Sequence, residues 1–372
     1  RMVARIMGAA GSVVGLADTN GVEVDGRILA RGDLAGPAGA RLVLEDPTVE
    51  VAVLETARGG IWRQGLWFDR CTVAAVLNVG DDHVGTEGIP DRATLAEIKG
   101  LITRVATDVV VLNARDPLCV ALRRGSPASR ACFVSLDPAH PLAGIGRAAG
   151  DEAVTVVGEG PAARVVLRRD AGETVLATVG AIAATDGGRA RHNIENALFA
   201  AAIAVGLGAA PAAIGRGLAS YDLSYATSRG RLAISDALPF RVIVDYGHNA
   251  PAIAAMRDYV AASRVTGRRI CMLNAPGNRV DAHYAALAAA AAGGFDYYVC
   301  TGPDERRGRA PGEVGRRIAD GLLAAGIPAA QVAVVDDEAA AVPAALAAAS
   351  PGDLVVLFCH DPERCWRLVH GG

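Results

Sequence analysis

Lysine is almost missing from this sequence: of 37 basic residues in 372, only Lys99 carries an amine, and the rest are arginine. The seven cysteines form no Cys-x-x-Cys pair. Most sit inside apolar runs, as buried thiols of a reducing compartment do, which points to the cytoplasm. No stretch approaches the ~18 uninterrupted apolar residues of a membrane span; even the alanine-rich run 285–292 is closed by Tyr284 and Gly293-Gly294. An excess of positive charge is also absent. A net charge of -3 and a pI near 6.2 exclude a broad electrostatic footprint for nucleic acid or an anionic membrane. Small-molecule partners are expected instead.

What is present is enough chain for two cores, because single cores stop growing at about 250–300 residues. Residues 51–54, 72–77, 109–112 and 132–134 are short apolar, β-branched runs separated by helical segments such as 94–106, as buried parallel strands read. Asp25-Gly26 between two such runs predicts a hairpin. From 154 to 183 the pattern becomes alternating, with strands at 164–167 and 174–179, an antiparallel insert. Helices are expected at 192–205 and 211–218. The polar, aperiodic stretch 220–231 reads as a boundary, giving domains 1–225 and 226–372. The second repeats the strand–helix alternation, with strands at 242–244, 270–273, 297–300, 332–335 and 354–358. The fold class is therefore α/β, with two doubly wound domains.

The chemistry-bearing residues gather at predicted strand ends, where α/β proteins place ligands. Glu55 ends a strand ahead of a Gly-rich turn (LETARGGI), as a hard cation such as Mg²⁺ would require or as a turn carboxylate would. Asp81, Asp82 and His83 follow the next strand (LNVGDDHVG) and supply metal ligands, orient water, or form a solvated loop. Lys99 lies on the following helix at the edge of the stripe Leu95, Ile98, Ile102 and Val105. Its amine can deprotonate and react, which no guanidinium can. Asn193 and Asn196, three apart in RHNIENAL, share a helix face and suit either capping or an adenine edge. Asp245 ends a strand and His248-Asn249 opens a helix, a place for ribose and phosphate, with Arg231 just upstream. The loops NAPGNRVD and TGPDERRGR carry Asn278, Arg279, Asp304, Arg306 and Arg309, suited to a zwitterionic ligand or to solvent.

Taken together, DPTVEVAVLETARGGI, VLNVGDDHVG, RARHNIENAL, VDYGHN, APGNR, ERRGR and PGDLVVLF resemble the Mur-ligase superfamily in the same order, nearly end to end. The resemblance is strongest to the branch that adds L-arginine to aspartate side chains of a poly-aspartate backbone. It implies a central ATP-binding domain followed by a Rossmann-like C-terminal domain. It also implies ATP and Mg²⁺, with Glu55 and His83 as metal ligands and Lys99 as the lysine that takes up CO₂ to become a carbamate. Asn193, Asn196, Arg231, Asp245 and His248 are then nucleotide contacts. The implied reaction runs through an acyl phosphate attacked by an amino acid's amine.

Partners implied are arginine, an aspartate-containing polymer, an upstream ATP-grasp portion of the same polypeptide and further copies of the chain. The superfamily's phosphate loop, Gly-Thr-Asn-Gly-Lys followed by Ser or Thr, is not matched; GAAGSVVG at 8–15 lacks its lysine and spacing. That loop is expected upstream of Arg1, so the chain alone is expected to be inactive. Arg115 and Asn278 stand where acids are usual. A folylpolyglutamate- or peptidoglycan-type ligase, or a silent structural domain of a larger ligase, are the competing readings.

Overall fold

The computed structural model describes residues 1–82, 84–85, 88–144 and 148–371, which form two compact units, Arg1–Tyr221 and Asp222–Gly372. The first unit holds two sheets. In one, β1 (Val14–Asp18), β2 (Gly21–Val24) and β3 (Arg27–Arg31) form an antiparallel meander, and β4 (Val51–Leu54) joins β1 in parallel. Asp25 and Gly26 both take positive φ, 48° and 78°, the two-residue turn whose twist matches a hairpin.

The second sheet runs β10-β9-β8-β7-β6-β5. Strands β5 (Cys71–Val76), β6 (Ala106–Asn113), β7 (Arg130–Ser135) and β8 (Glu152–Val157) are parallel, and β9 (Arg164–Arg169) and β10 (Gly172–Thr178) continue antiparallel. The predicted insert is thus an extension of a parallel sheet. The split into two sheets was not foreseen, because β1 lies in a stretch whose short apolar run carries no alternation.

Helix 94–106 needs correction. The α-helix is Arg92–Lys99, with Asp91 accepting the Thr94 N–H at 2.8 Å, and Gly100–Val105 is 3₁₀. Gly100 is a poor helix former, and the Thr103 hydroxyl donates back to its carbonyl at 2.7 Å, competing with the α pattern. The tighter turn delivers the chain to β6 at Ala106. The helices Arg191–Gly206 and Pro211–Ala219 form where expected, the second with proline in its first turn. The first packs its alanines on the sheet so closely that a Cβ on Gly206 would lie 2.9 Å from Val73.

In the second unit the sheet order is β11-β12-β16-β13-β14-β15. Strands β12 (Arg241–Asp245), β13 (Arg269–Leu273), β14 (Tyr297–Cys300), β15 (Val332–Val334) and β16 (Leu354–Phe358) are parallel, and the short edge strand β11 (Ala233–Ser235) is antiparallel. Strand β16 is buried along its whole length. Its apolar run without alternation is what a strand covered by helices on both faces requires. The loops that leave the carboxyl ends of β12, β13, β14 and β16 therefore emerge on one edge of the sheet. Among the described residues no helix is long and apolar enough to cross a membrane.

Candidate active site

In the first unit, Glu55 follows β4 and its backbone N–H donates to Ala17 at 2.9 Å, extending the pairing with β1. That register sets its carboxylate against Thr19, whose N–H and hydroxyl both donate to it at 3.1 Å. Thr19 was not singled out by the sequence. Its place in a turn gave no chemical signal, and the contact depends on a parallel pairing between segments 36 residues apart. His83 lies outside the described residues.

Lys99 is the last residue of its helix, and its Nζ donates to the Asn78 carbonyl at 3.0 Å. Burial lowers its pKa from the ordinary lysine value; Cys119, Asp82 and Asp116 pull the other way, and Arg58 adds to the lowering. The loop it reaches is held on all sides. Asn113 donates to the Leu77 carbonyl at 2.9 Å, Arg92 donates to the Val79 carbonyl at 2.6 and 2.9 Å, and Asp116 accepts the Val79 N–H at 2.7 Å. Asn113 and Asp116 come from LNARDP, at the end of β6. Three consecutive carbonyls are thus taken by side chains, one from the end of β6 and two from the two ends of the helix Arg92–Lys99.

Asn193 and Asn196 share a face and touch: the Asn196 amide donates to Asn193 Oδ1 at 3.2 Å. The capping reading of Asn193 does not hold. The helix begins at Arg191 with no side-chain cap, and buried Asn193 donates instead to Ala184 of the preceding turn at 2.8 Å.

In the second unit, Asp245 accepts the N–H groups of Leu232 and Gly247, both at 2.7 Å, so its carboxylate organises the start of the next loop. Arg231 stacks over the Tyr246 ring at 4.6 Å. His248 Nδ1 lies 3.0 Å from the Tyr246 carbonyl, and Asn249 caps the helix Ala250–Ala262 by accepting from Ala252. The loops after β13 and β14 are laced together. A Cβ on Gly277 would meet the Arg306 carbonyl at 2.1 Å, so only glycine permits the approach. Arg309 donates to the carbonyls of Gly277 and Arg279 at 3.2 and 2.8 Å. Asp304 pairs with Arg364, while the side chains of Asn278 and Arg306 are exposed.

Arg309 also anchors Glu313, which accepts from the Ala310 N–H, Arg309 and Arg317 and is held well below the usual carboxylate range, at about 2. A depressed carboxylate contributes stability above its unfolded pKa that disappears as pH falls through the folded one. Glu313→Gln is therefore expected to lower the melting temperature at pH 7, with the gap to wild type closing between about pH 4.5 and 2. Scanning calorimetry across that range checks it; a gap independent of pH refutes it.

The residue that sequence reading missed altogether is Glu338, fully buried in the first turn of the helix Glu338–Ala347. It accepts from Asn274 Nδ2 at 2.6 Å, Arg364 Nη2 at 2.9 Å, and the backbone N–H groups of His360 and Asp361. It ties together the loops after β13 and β16, and through Arg364 the loop after β14. Cys359 and Cys365 lie within 4.8 Å of it. Burial pushes the Cys359 thiol up, and the carboxylate already holds four donors, so the cluster reads as a structural hub. In VDDEAA nothing separates such an acid from an ordinary first-turn carboxylate.

Residues 230–359 match the family described as Mur ligase, glutamate ligase domain. The whole chain superposes on a folylpolyglutamate synthase from Mycobacterium tuberculosis with a TM-score of 0.70 at 19% identity, covering 100% of this chain and 88% of that one. It likewise matches MurF from Acinetobacter baumannii with a TM-score of 0.67 at 18% identity, covering 99% and 74%. The fold is that of the Mur ligases.

Within it the chain carries a Mur-ligase-like region similar from end to end to part of cyanophycin synthetase. It is 33% identical to the Crocosphaera subtropica protein over 374 residues and 34% identical to the Synechocystis protein over 371, covering 100% and 99% of this chain. It spans 42% of the length of each of these relatives.

Proposed function

We propose that the chain is the arginine-adding ligase part of a cyanophycin-synthetase-type enzyme. The observation that supports this most directly is Lys99: the sole amine side chain, half-buried and anchored to a clamped loop. In this reading ATP phosphorylates an aspartate side-chain carboxylate of a poly-aspartate chain, giving an acyl phosphate and ADP. The α-amine of arginine attacks the carbonyl carbon, phosphate leaves, and the nitrogen loses a proton to give the amide.

The carboxylate of Glu55 and the Thr19 hydroxyl are hard oxygen donors at adjacent strand ends, a set that fits Mg²⁺; His83 is the further ligand that the Mur-ligase resemblance implies. Such a cation screens the two negative reactants. The lowered pKa of Lys99 leaves more neutral amine to add CO₂, forming an N–C bond and releasing a proton, so that a carbamate anion stands beside Asp82 and Asp116. Asn193 and Asn196 offer amide edges to adenine, and Arg231, Tyr246 and His248 a stacked, cationic surface to the nucleotide. The loops bearing Arg279, Asp304 and Arg309 receive the amino acid. An ATP-grasp portion of the same polypeptide and further copies of the chain complete the enzyme in this reading.

The experiment is ADP release by the longest polypeptide containing this chain, with poly-aspartate and single amino acids. Release is expected to require both poly-aspartate and L-arginine. Equal release with glutamate in place of arginine sinks the arginine assignment, and release independent of any amino acid sinks the ligase.

A further inference from the structure

Strand β15 closes one side of the second unit's sheet, and it pairs with β14 alone. Just beyond it, the Val335 N–H donates to the Cys300 carbonyl of β14 at 2.9 Å. Backbone groups alternate sides along a strand, so Ala333 turns its N–H and carbonyl toward β14, and Val332 and Val334 turn theirs outward. Such an edge is commonly guarded by a lysine, a proline or a bulge. Val332-Ala333-Val334 carries none of these, and Val334 is 42% exposed.

Beside this edge lies a groove of about 230 Å³, lined by Ala319 and Leu323 of the helix Glu313–Ala324 and by Val332 and Val334 of the strand, among others. Arg316 and Asp320 line it too, both exposed and one helical turn apart. As the crossover between two parallel strands, the helix runs back against β15. Arg316 stands at the strand's carboxyl end, where a Cβ on Gly312 would meet both Arg316 and Asp336.

These spacings make the surface complementary to itself. Val332 and Val334 are about 6.6 Å apart along the strand, and Arg316 and Asp320 about 6 Å apart along the helix. A two-fold axis at Ala333 that sets Val332 against the partner's Val334 therefore brings Arg316 level with the partner's Asp320.

We propose that this edge docks a second copy of the chain, the two β15 strands running antiparallel and joining two six-stranded sheets into one. Val332 and Val334 exchange N–H···O=C bonds with their counterparts, Leu323 and Val334 are covered, and an Arg316–Asp320 ion pair forms on each side of the axis. The shortness of the strand keeps the association reversible. The surface offers a place for the further copies in the proposed enzyme, yet its features belong to the second unit, so it is tested apart from the ligase reading.

The test is sedimentation velocity over a concentration series, on the 372-residue chain and on the longest polypeptide that contains it. The mass is expected to rise with concentration from one chain toward two. Asp320→Arg sets arginine against arginine on both sides of the axis and is expected to weaken the dimer at least about tenfold. Adding Arg316→Asp to it restores opposite signs and with them wild-type association, which no unrelated partner would reproduce. Ala333→Cys places two thiols at the axis, where facing Cα atoms lie about 4.5 Å apart, within reach of a disulfide. In air it is expected to give a covalent dimer on a non-reducing gel, and wild type, with its seven free cysteines, is not. A chain that stays monomeric leaves the edge to some other strand and overturns the proposal. So does a dimer indifferent to Asp320→Arg, a double exchange that fails to recover association, or an Ala333→Cys chain that does not cross-link. ADP release is measured separately, so each of these outcomes leaves the ligase reading as it was.

Discussion

Lys99→Arg is expected to reduce arginine-dependent ADP release at least ~100-fold, the scale of losing one preorganised charged group at a phosphoryl-transfer site. Lys99→Met should do no worse. The equality matters because arginine keeps the positive charge and the reach to the Asn78 carbonyl, so a purely electrostatic or tethering role predicts partial activity for Lys99→Arg. Only a role that needs a deprotonable amine predicts that both fail. Recovery of more than a tenth of wild-type activity in Lys99→Arg removes the amine chemistry from the mechanism.

The same chain allows a readout without turnover. With a single lysine, a carbamate resonance in ¹³C NMR under ¹³C-bicarbonate has one side-chain origin, and it should vanish in Lys99→Arg. The sign of its pH dependence follows from burial. Because the folded pKa of Lys99 is lowered from 10.5, the neutral amine accumulates at lower pH than for a solvent-exposed lysine. The signal should therefore rise with pH and reach half-height below the ordinary lysine value; a midpoint at or above it contradicts the half-buried, reactive amine.

Glu338→Leu should produce the largest loss of stability in the second unit, about 3–5 kcal/mol, as expected when one partner of a buried charged network is removed. The substitution strands Asn274, Arg364 and two backbone N–H groups at once, and only Arg364 retains another partner, in Asp304. Trp366, stacked on Tyr225 at 4.7 Å, is the second unit's only tryptophan, so urea unfolding followed by fluorescence in a Trp62→Phe, Trp67→Phe background reports this unit. A midpoint within error of the parent would mean that the hub is dispensable.

The fold was readable wherever burial imposes a pattern. Continuous apolar runs such as Leu354–Phe358 can only be strands covered on both faces, and the Asp25-Gly26 turn states its own geometry. What escaped was set by pairing rather than composition. The three-residue edge strand Ala233–Ser235 is too short to show a period, and the partition of the first unit into two sheets depends on which strand finds which partner.

The site divides the same way. Lys99 announced itself by being alone, and Asn193 with Asn196 by their spacing. Glu338 and Thr19 did not, because an acid at a helix start and a threonine in a turn are ordinary in sequence. Their contacts arise only after strands far apart in the chain have come together.

The three clamped carbonyls after β5 have an electrostatic consequence for the polyphosphate that the proposed function brings to this strand end. Left open, the Leu77, Asn78 and Val79 oxygens would point lone pairs at an anion arriving at the strand end. Taken by Asn113, Lys99 and Arg92, they are neutralised at their source. In the proposed reading, adding CO₂ to Lys99 would not undo this. A carbamate nitrogen keeps one N–H, enough to go on holding Asn78, so the modification that reverses the charge of the side chain can leave the shape of the loop as it was.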